Sequence, residues 1–541
     1  MKLSLLNKCL LSALVVGGAA AQPLYAQTNN TQHPNVLVIV MDDLGTGQLD
    51  FAIDSLDKNE LSKRPVAARY QGDLDKMIDA AQRAMPNVSK LAASGVKMTN
   101  AFVAHPVCGP SRAGILTGRY PASFGIYSND DSFNGIPLDV KLLPALFQEN
   151  GYTTANIGKY HNARVNKDRK IGRITKPDDV KTRDYHDNFS SVPDKGYFPT
   201  DRGFDYSYSY FVSGAALWNS PALWRNDKPI EAPGYLTHNL TNEALQFIDK
   251  AGDKPFFLNL AYSVPHIPLE EASPAKYMDQ FNTGNVEADK YFAAINAADE
   301  GIGKIIDKLK ADGKLDNTII FFLSDNGSVH EAPMPLNGMD RGFKGQMYNG
   351  GVRVPFIVSW PGHIPADSKN DMLISAMDIL PSALKAANIK VPDSLKLDGR
   401  DILPVLEGKE KVSPHKYLYW AGPGAKHYSE ENQQFWADYW KYITYNTNEA
   451  PKNPNLEKLS KSAWAIRDQD WALYFYNDGS NKLHLYHDKV DPAESQDVAD
   501  KYPEKVKELQ KAFYDWISAQ PKPMVWNPEE FQAIEASAKA K

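Results

Sequence analysis

Two adjacent pairs of oxygen-bearing side chains, Asp42-Asp43 and Asp325-Asn326, each close an apolar run of the kind that forms a buried strand. Brought to the edge of one sheet, three carboxylates and one amide make an all-oxygen site. Such a site suits a hard cation, Ca²⁺ or Mg²⁺, better than zinc, which favours nitrogen and sulfur. One pair alone reads as a helix cap or a loop charge; two pairs at equivalent strand ends read as a metal site. Cationic and imidazole groups join them at Arg112, Lys159, His161, His266 and Lys344. Buried lysines and arginines are costly unless they meet anions. Gathered beside a metal, they point to an anionic substrate group with several oxygens, and phosphate or sulfate fits.

The segment "HPVCGPSR" places Cys108 four residues before Arg112. Met1-Lys2 and Lys8 flank an apolar run from Cys9 to Ala21, and Pro23 and the small Ala26 follow it. This is the layout of a secretory signal peptide over residues 1–26, cleaved after Ala26 or, alternatively, Ala21. The run is too short for a membrane span, no later segment is long and apolar enough for one, and the expected location is the bacterial periplasm. The chain has two cysteines, so cleavage leaves Cys108 alone. A lone cysteine in an oxidising compartment is either buried and inert or chemically special. The net charge of −6 becomes more negative with loss of Lys2 and Lys8, which argues against nucleic acid as a partner.

The elements that must position these residues alternate. Apolar runs end at Met41, Lys159, His266 and Asp325, with a further one in "VPFIVSWPG"; helical segments such as "LTNEALQFIDKAG" and "DKYFAAINAADEGIGKIIDKLKADG" lie between them. Alternation of this kind predicts an α/β fold with a large, mostly parallel sheet sandwiched by helices, and a ligand site beyond the carboxyl ends of its strands. After residue 412 the texture changes to short aromatic strands such as "KYLYWAG", "WKYITYN" and "KLHLYHD", followed by "YPEKVKELQKAFYDWISAQ". We expect a catalytic domain over 27–412 and a C-terminal subdomain over 413–541, built as a small antiparallel sheet with one covering helix.

"CGPSRAGILTG" resembles the sulfatase motif Cys-x-Pro-Ser-Arg followed by Thr-Gly. "NIGKYH", "SVPHIP", "FFLSDNG" and "FKGQMYNGGVRVP" are similar, in order, to further blocks of the formylglycine-dependent sulfatases, and bacterial polysaccharide sulfatases in particular. The resemblance implies an alkaline phosphatase-like fold and hydrolysis of sulfate esters. It also implies oxidation of Cys108 to Cα-formylglycine by a formylglycine-generating or other sulfatase-maturating enzyme. One hydroxyl of the hydrated aldehyde would attack sulfur and the second would expel the sulfate. One Ca²⁺ would be held by Asp42, Asp43, Asp325, Asn326 and residue 108. Arg112 would hold the diol, Lys159 and Lys344 would neutralise the sulfate oxygens, His266 would protonate the departing alcohol, and His161 would act as base. The family usually has an acid where this chain has Asn349.

The substrate implied is a sulfated carbohydrate, with carrageenan or ulvan as the guess. Arg164, Lys167, Arg169, Lys170 and Arg173 follow His161 and serve either a polyanionic sugar or a solvated loop; Trp436 and Trp440 either stack on sugar rings or pack the small sheet. Two other readings are a phosphatase or phosphodiesterase of the same superfamily, which would use Ser or Thr with two zinc ions, and an inactive sulfated-glycan-binding protein.

Overall fold

The structure is a computed structural model that describes residues 33–53, 55–62, 72–170, 191–211, 214–267, 269, 271–329, 332–423, 462–477 and 480–539. The signal segment, Arg173, Trp436, Trp440 and the strand expected at "WKYITYN" lie outside the described residues, as do the side chains of Lys167, Arg169 and Lys170.

The apolar runs form strands β1 (Asn35–Met41), β2 (Thr153–Lys159), β3 (Tyr206–Tyr210), β4 (Phe256–Ala261), β5 (Thr318–Ser324) and β6 (Phe356–Ser359). They belong to a ten-stranded sheet. β1 lies at its heart, parallel to β4 on one side and β5 on the other; β2 runs parallel to both β4 and β3, and β6 is antiparallel to β5. Because side chains alternate across a strand, β1 serves both faces. Leu37, Ile39 and Met41 pack into one core with helices α2 (Leu236–Ala251) and α3 (Val286–Ala311). Val36, Val38 and Val40 pack into the other, which includes Ala113, Ile115 and Leu116 of α1 (Cys108–Thr117). Burial on both faces explains why β1 and β5 read as unbroken apolar runs rather than alternating ones.

The expected sheet with helices on both faces is therefore present, and its register sets the site. Met41 lies opposite Ser324 in the parallel ladder, and the Asp325 N–H donates to the Met41 carbonyl (3.1 Å). The residues after both strands emerge side by side. β2 is held equally close to β4. Gly158 (φ 101°) presses on it so tightly that a β-carbon there would lie 1.8 Å from the Ala261 carbonyl oxygen. Only glycine fits immediately before Lys159.

The C-terminal part is a four-stranded antiparallel sheet of β7 (Leu418–Gly422), β8 (Ala463–Arg467), β9 (Trp471–Tyr476) and β10 (Leu483–His487), in that order. The expectation of one covering helix needs correction. Besides α4 (Pro503–Ile517), a second helix, α5 (Pro528–Ala538), buries Phe531, Ile534 and Ala538 in the same core as Leu509, Phe513 and Ile517. Its apolar residues are too few for a clear helical stripe, and its stability comes from docking. Among the described residues, no helix is long and apolar enough to cross a membrane.

Candidate active site

Asp42, Asp43, Asp325 and Asn326 are all fully buried at the carboxyl ends of β1 and β5. Asp43 adopts a left-handed backbone (φ 69°), a strained state for a non-glycine residue that persists only where its surroundings enforce it. Here the Asp43 N–H donates to Asp325 Oδ1 (3.3 Å) and the Leu44 N–H to Ser324 Oγ (2.9 Å). Asn326 Nδ2 donates to Asp43 Oδ1 (2.7 Å) and to the Gly327 carbonyl (2.9 Å), while Asn326 Oδ1 is buried with no hydrogen-bond partner. Asp42, Asp43 and His266 offer ligand atoms within 4.8 Å of one another. An acceptor-rich cluster with an orphaned amide oxygen is a set of donors fitted to a hard cation.

Three cationic side chains enclose these acids. Arg112 sends Nε (2.8 Å) and Nη2 (2.7 Å) to Asp325 Oδ2 and Nη1 to the Lys159 carbonyl (3.2 Å). Lys159 Nζ grips both oxygens of Asp42, at 3.0 and 2.7 Å, and Lys344 Nζ lies 2.7 Å from Asp43 Oδ1. Three carboxylates thus face three cations within one buried volume. Burial pushes the Asp42 carboxyl up to about 7 against the pull of Lys159. For Asp43 burial acts in the same direction but is outweighed, and Lys344, which also hydrogen-bonds it, holds it below the usual carboxylate range.

The two imidazoles differ in exposure. His161, also left-handed (φ 54°), is buried, and neither ring nitrogen has a hydrogen-bond partner among the described residues. His266 stands nearer the mouth with Nε2 3.8 Å from Asp43 Oδ2, its side chain 14% exposed beside Lys344 at 15%. Burial first, and then Lys159 for His161 and Lys344 for His266, drive both imidazoles well below the ordinary histidine range. Both are held neutral.

Cys108 opens α1, a helix with every residue buried, and is itself 1% exposed. Its sulfur touches a residue that sequence reasoning passed over. Asn129, in the short helix Asn129–Ser132, accepts the Gly109 N–H on Oδ1 (3.1 Å), and its amide faces Cys108 Sγ with Oδ1 and Nδ2 both at 3.8 Å, so that Sγ can donate to the one or accept from the other. The sequence "SNDDS" reads only as a polar turn. The expected site residues Cys108, Arg112, Lys159, His161, His266 and Lys344 lie together with Asp42, Asp43, Asp325 and Asn326. Arg164 lies outside the cluster, exposed, paired with Asp194 at 3.3 Å.

The small C-terminal sheet braces the strand of chain that carries Lys344. The Lys344 N–H donates to the Ser328 carbonyl and Gly345 N–H to that of Pro106, while Met347 N–H donates to Tyr476 Oη on β9 (3.1 Å). Asn349 is the hub: its N–H donates to Glu494 (3.0 Å), its Nδ2 to Asp488 (2.5 Å), and its Oδ1 accepts from Arg467 (2.6 Å). Asp488 also pairs with Arg353 (2.6 Å) and Arg467 (2.8 Å). An acid at 349 would meet the Asp488 carboxylate head-on, so the amide there is explained by an acid supplied from the C-terminal part.

Burial pushes the Glu494 carboxyl up to about 7, and Asp488 adds to the shift. A carboxyl raised in the folded state contributes stability that is present below its unfolded value of 4.5 and is lost as pH rises through about 7. The difference amounts to roughly 3 kcal/mol. Wild-type protein is therefore expected to lose stability between pH 4.5 and about 7, and Glu494→Gln to flatten that slope. Denaturant unfolding across the range tests this, and an unchanged slope in the variant would assign the pH dependence elsewhere.

A sequence profile described as Sulfatase matches residues 34–389, a span that includes the whole acid and cation cluster, Cys108 and Asn129. The chain belongs to the sulfatase family. This sulfatase is a sulfuric ester hydrolase. A second profile, N-sulphoglucosamine sulphohydrolase, C-terminal, matches residues 340–453. The chain is 43% identical over 504 residues to the uncharacterized sulfatase YdeN of Escherichia coli K12, covering 93% of this chain and 88% of that one. It is 27% identical over 442 residues to N-acetylgalactosamine-6-sulfatase of Mus musculus, covering 78% and 76% respectively. Among solved structures it resembles Ps i-CgsB in complex with k-i-k-neocarrahexaose, with a TM-score of 0.69 and 27% identity over 94% of this chain and 98% of that one.

Proposed function

We propose that this protein is an exported, periplasmic sulfatase that hydrolyses sulfate esters of a sulfated carbohydrate, of the carrageenan or ulvan kind, with residue 108 as nucleophile and one calcium ion. The observation that carries the reading is the charge arrangement around Cys108. Asp42, Asp43 and Asp325 are balanced by Arg112, Lys159 and Lys344, so a bound dication leaves the site positive and suited to a sulfate ester. Carrageenan enters because the structurally similar Ps i-CgsB was crystallised with k-i-k-neocarrahexaose.

The cation would be held by Asp42, Asp43, Asp325 and the free Oδ1 of Asn326, with residue 108 completing the set. When bound it lowers the cost of negative charge on the attacking oxygen. Formylglycine at position 108 supplies, as its hydrate, one hydroxyl to attack sulfur and a second to expel the sulfate. Arg112 holds Asp325 in place through Nε and Nη2. Lys159 and Lys344, once displaced from the carboxylates, meet sulfate oxygens and stabilise charge that moves toward the leaving group. His161, buried and neutral, takes the hydroxyl proton. His266 stands at the open side, where the alcohol departs. Burial and, after it, Lys344 keep this imidazole neutral; an anionic ester between His266 and Lys344 offsets the second of these, so substrate binding raises its proton affinity and readies it as the acid.

Peptide mass spectrometry across residues 102–119 of protein from the native host tests the nucleophile. The expected result is aldehyde in place of thiol at Cys108; thiol alone would overturn the mechanism. For the cation, Ca²⁺ added to EGTA-treated protein is expected to raise Tm, since a ligand at 100 times its Kd adds about 2.7 kcal/mol to the folded state. An unchanged Tm, with activity unaltered by EGTA, would remove calcium from the proposal.

A further inference from the structure

Asn129 is the one side chain hydrogen-bonded to Cys108 Sγ among the described residues, and its orientation is not free. The Gly109 N–H, 3.1 Å away, requires an acceptor and so fixes Oδ1 toward the backbone. Sγ lies 3.8 Å from both ends of the amide: the thiol can donate to Oδ1, and Nδ2, which has no other acceptor among the described residues, can donate to Sγ. The turn that carries the amide is itself over-determined. Fully buried Asp131 accepts the Tyr127 N–H and the Ser128 hydroxyl on one oxygen, at 3.0 and 2.9 Å. Its other oxygen accepts the N–H groups of Val525 and Trp526, at 2.8 and 3.1 Å. The C-terminal segment therefore locks in place the four-residue helix that carries Asn129.

A thiol is both a weak hydrogen-bond donor and a weak acceptor, so a rigid amide that turns its oxygen and its nitrogen toward Sγ is poorly used by cysteine. An oxygen on the same β-carbon would use it fully. We propose that Asn129 is a positioning residue for the oxidised form of residue 108: its Nδ2–H donates to one hydroxyl of the hydrated aldehyde, which fixes the rotation of the pair about Cα–Cβ and favours hydrate over free aldehyde. The inference rests on formylglycine at position 108 and assigns Asn129 no role in holding the cation.

The decisive variants are Asn129→Asp, which keeps an acceptor for the Gly109 N–H but lacks the donor, and Asn129→Ala, which lacks both. Two readouts are taken on wild type and variants. Labelling with methoxyamine after denaturation measures total aldehyde; labelling of the folded protein measures free aldehyde, because the reagent condenses with the carbonyl and releases water. Total aldehyde is expected to be equal in all three proteins. Folded-state labelling is expected to be about tenfold faster in both variants, the loss of one hydrogen bond's preference, with kcat for an aryl sulfate lowered by a similar factor and KM little changed. If Asn129→Asp labels and turns over like wild type while Asn129→Ala does not, the amide serves only the Gly109 N–H and the proposal fails. Wild-type labelling and kcat in both variants would also overturn it. No aldehyde in denatured wild-type protein would overturn this inference and the nucleophile assignment together, which separates the two failures.

Discussion

A Cys108→Ala variant is expected to lose at least about 10⁴-fold in kcat toward an aryl sulfate, the scale seen when a covalent nucleophile is removed. Alanine is the best helix former and leaves no polar group behind, so α1 and the cluster around Arg112 should persist. Binding should persist too. Lys159, Lys344 and His266 are untouched, and a sulfated oligosaccharide should bind the variant within a few-fold of wild type by calorimetry. That combination marks the loss as chemical rather than structural. Turnover within tenfold of wild type would mean that water, activated elsewhere in the site, is the nucleophile.

Asp488→Ala is expected to destabilise the protein by about 3–5 kcal/mol, because it removes the carboxylate partner of fully buried Arg467 and one of the two carboxylates on part-buried Arg353, which keeps Asp340. Arg353 and Arg467 both end on this carboxylate, as does the Asn349 amide. The change should appear as a shift in the urea midpoint at unchanged m-value. It should also lower kcat, since the chain carrying Lys344 takes its position from Asn349 and Tyr476. A midpoint shift worth less than about 1 kcal/mol, the range of an exposed ion pair, would show that the arginines find other partners.

The catalytic half of this architecture was legible because the chemistry sits where strands end. An unbroken apolar run followed by Asp-Asp or Asp-Asn states both the strand and the position of its carboxyl end, and parallel pairing brings such ends together. Asp42, Asp43, Asp325, Asn326, Lys159 and His266 could therefore be grouped from the sequence, and the structure brings them together. Asn129 could not, because nothing in "SNDDS" distinguishes a turn beside the nucleophile from one on the surface. Nor could the brace around Asn349. Its partners Arg467, Asp488 and Glu494 lie more than 100 residues away, and no periodicity announces a side-chain pairing across that distance. The helix α5 was missed for a related reason: three buried apolar residues suffice when a neighbouring sheet supplies the rest of the core.

The place of β1 in the sheet also sets a clock. This central strand acquires its neighbours β4 and β5 only when the chain extends beyond residue 300, and α1 is buried in a core that includes residues of both. Synthesis at about 5–20 residues per second needs roughly 10–40 s to pass from Cys108 to the end of β5. Long-range parallel pairing of this kind is slow in itself. For that interval the thiol is reachable by another enzyme; once the sheet closes, at 1% exposure, it is not. Under the proposed mechanism, in which residue 108 becomes formylglycine, the fraction of active molecules would depend on how fast the chain folds compared with how fast it is modified, and over-expression would yield well-folded protein whose residue 108 missed its moment.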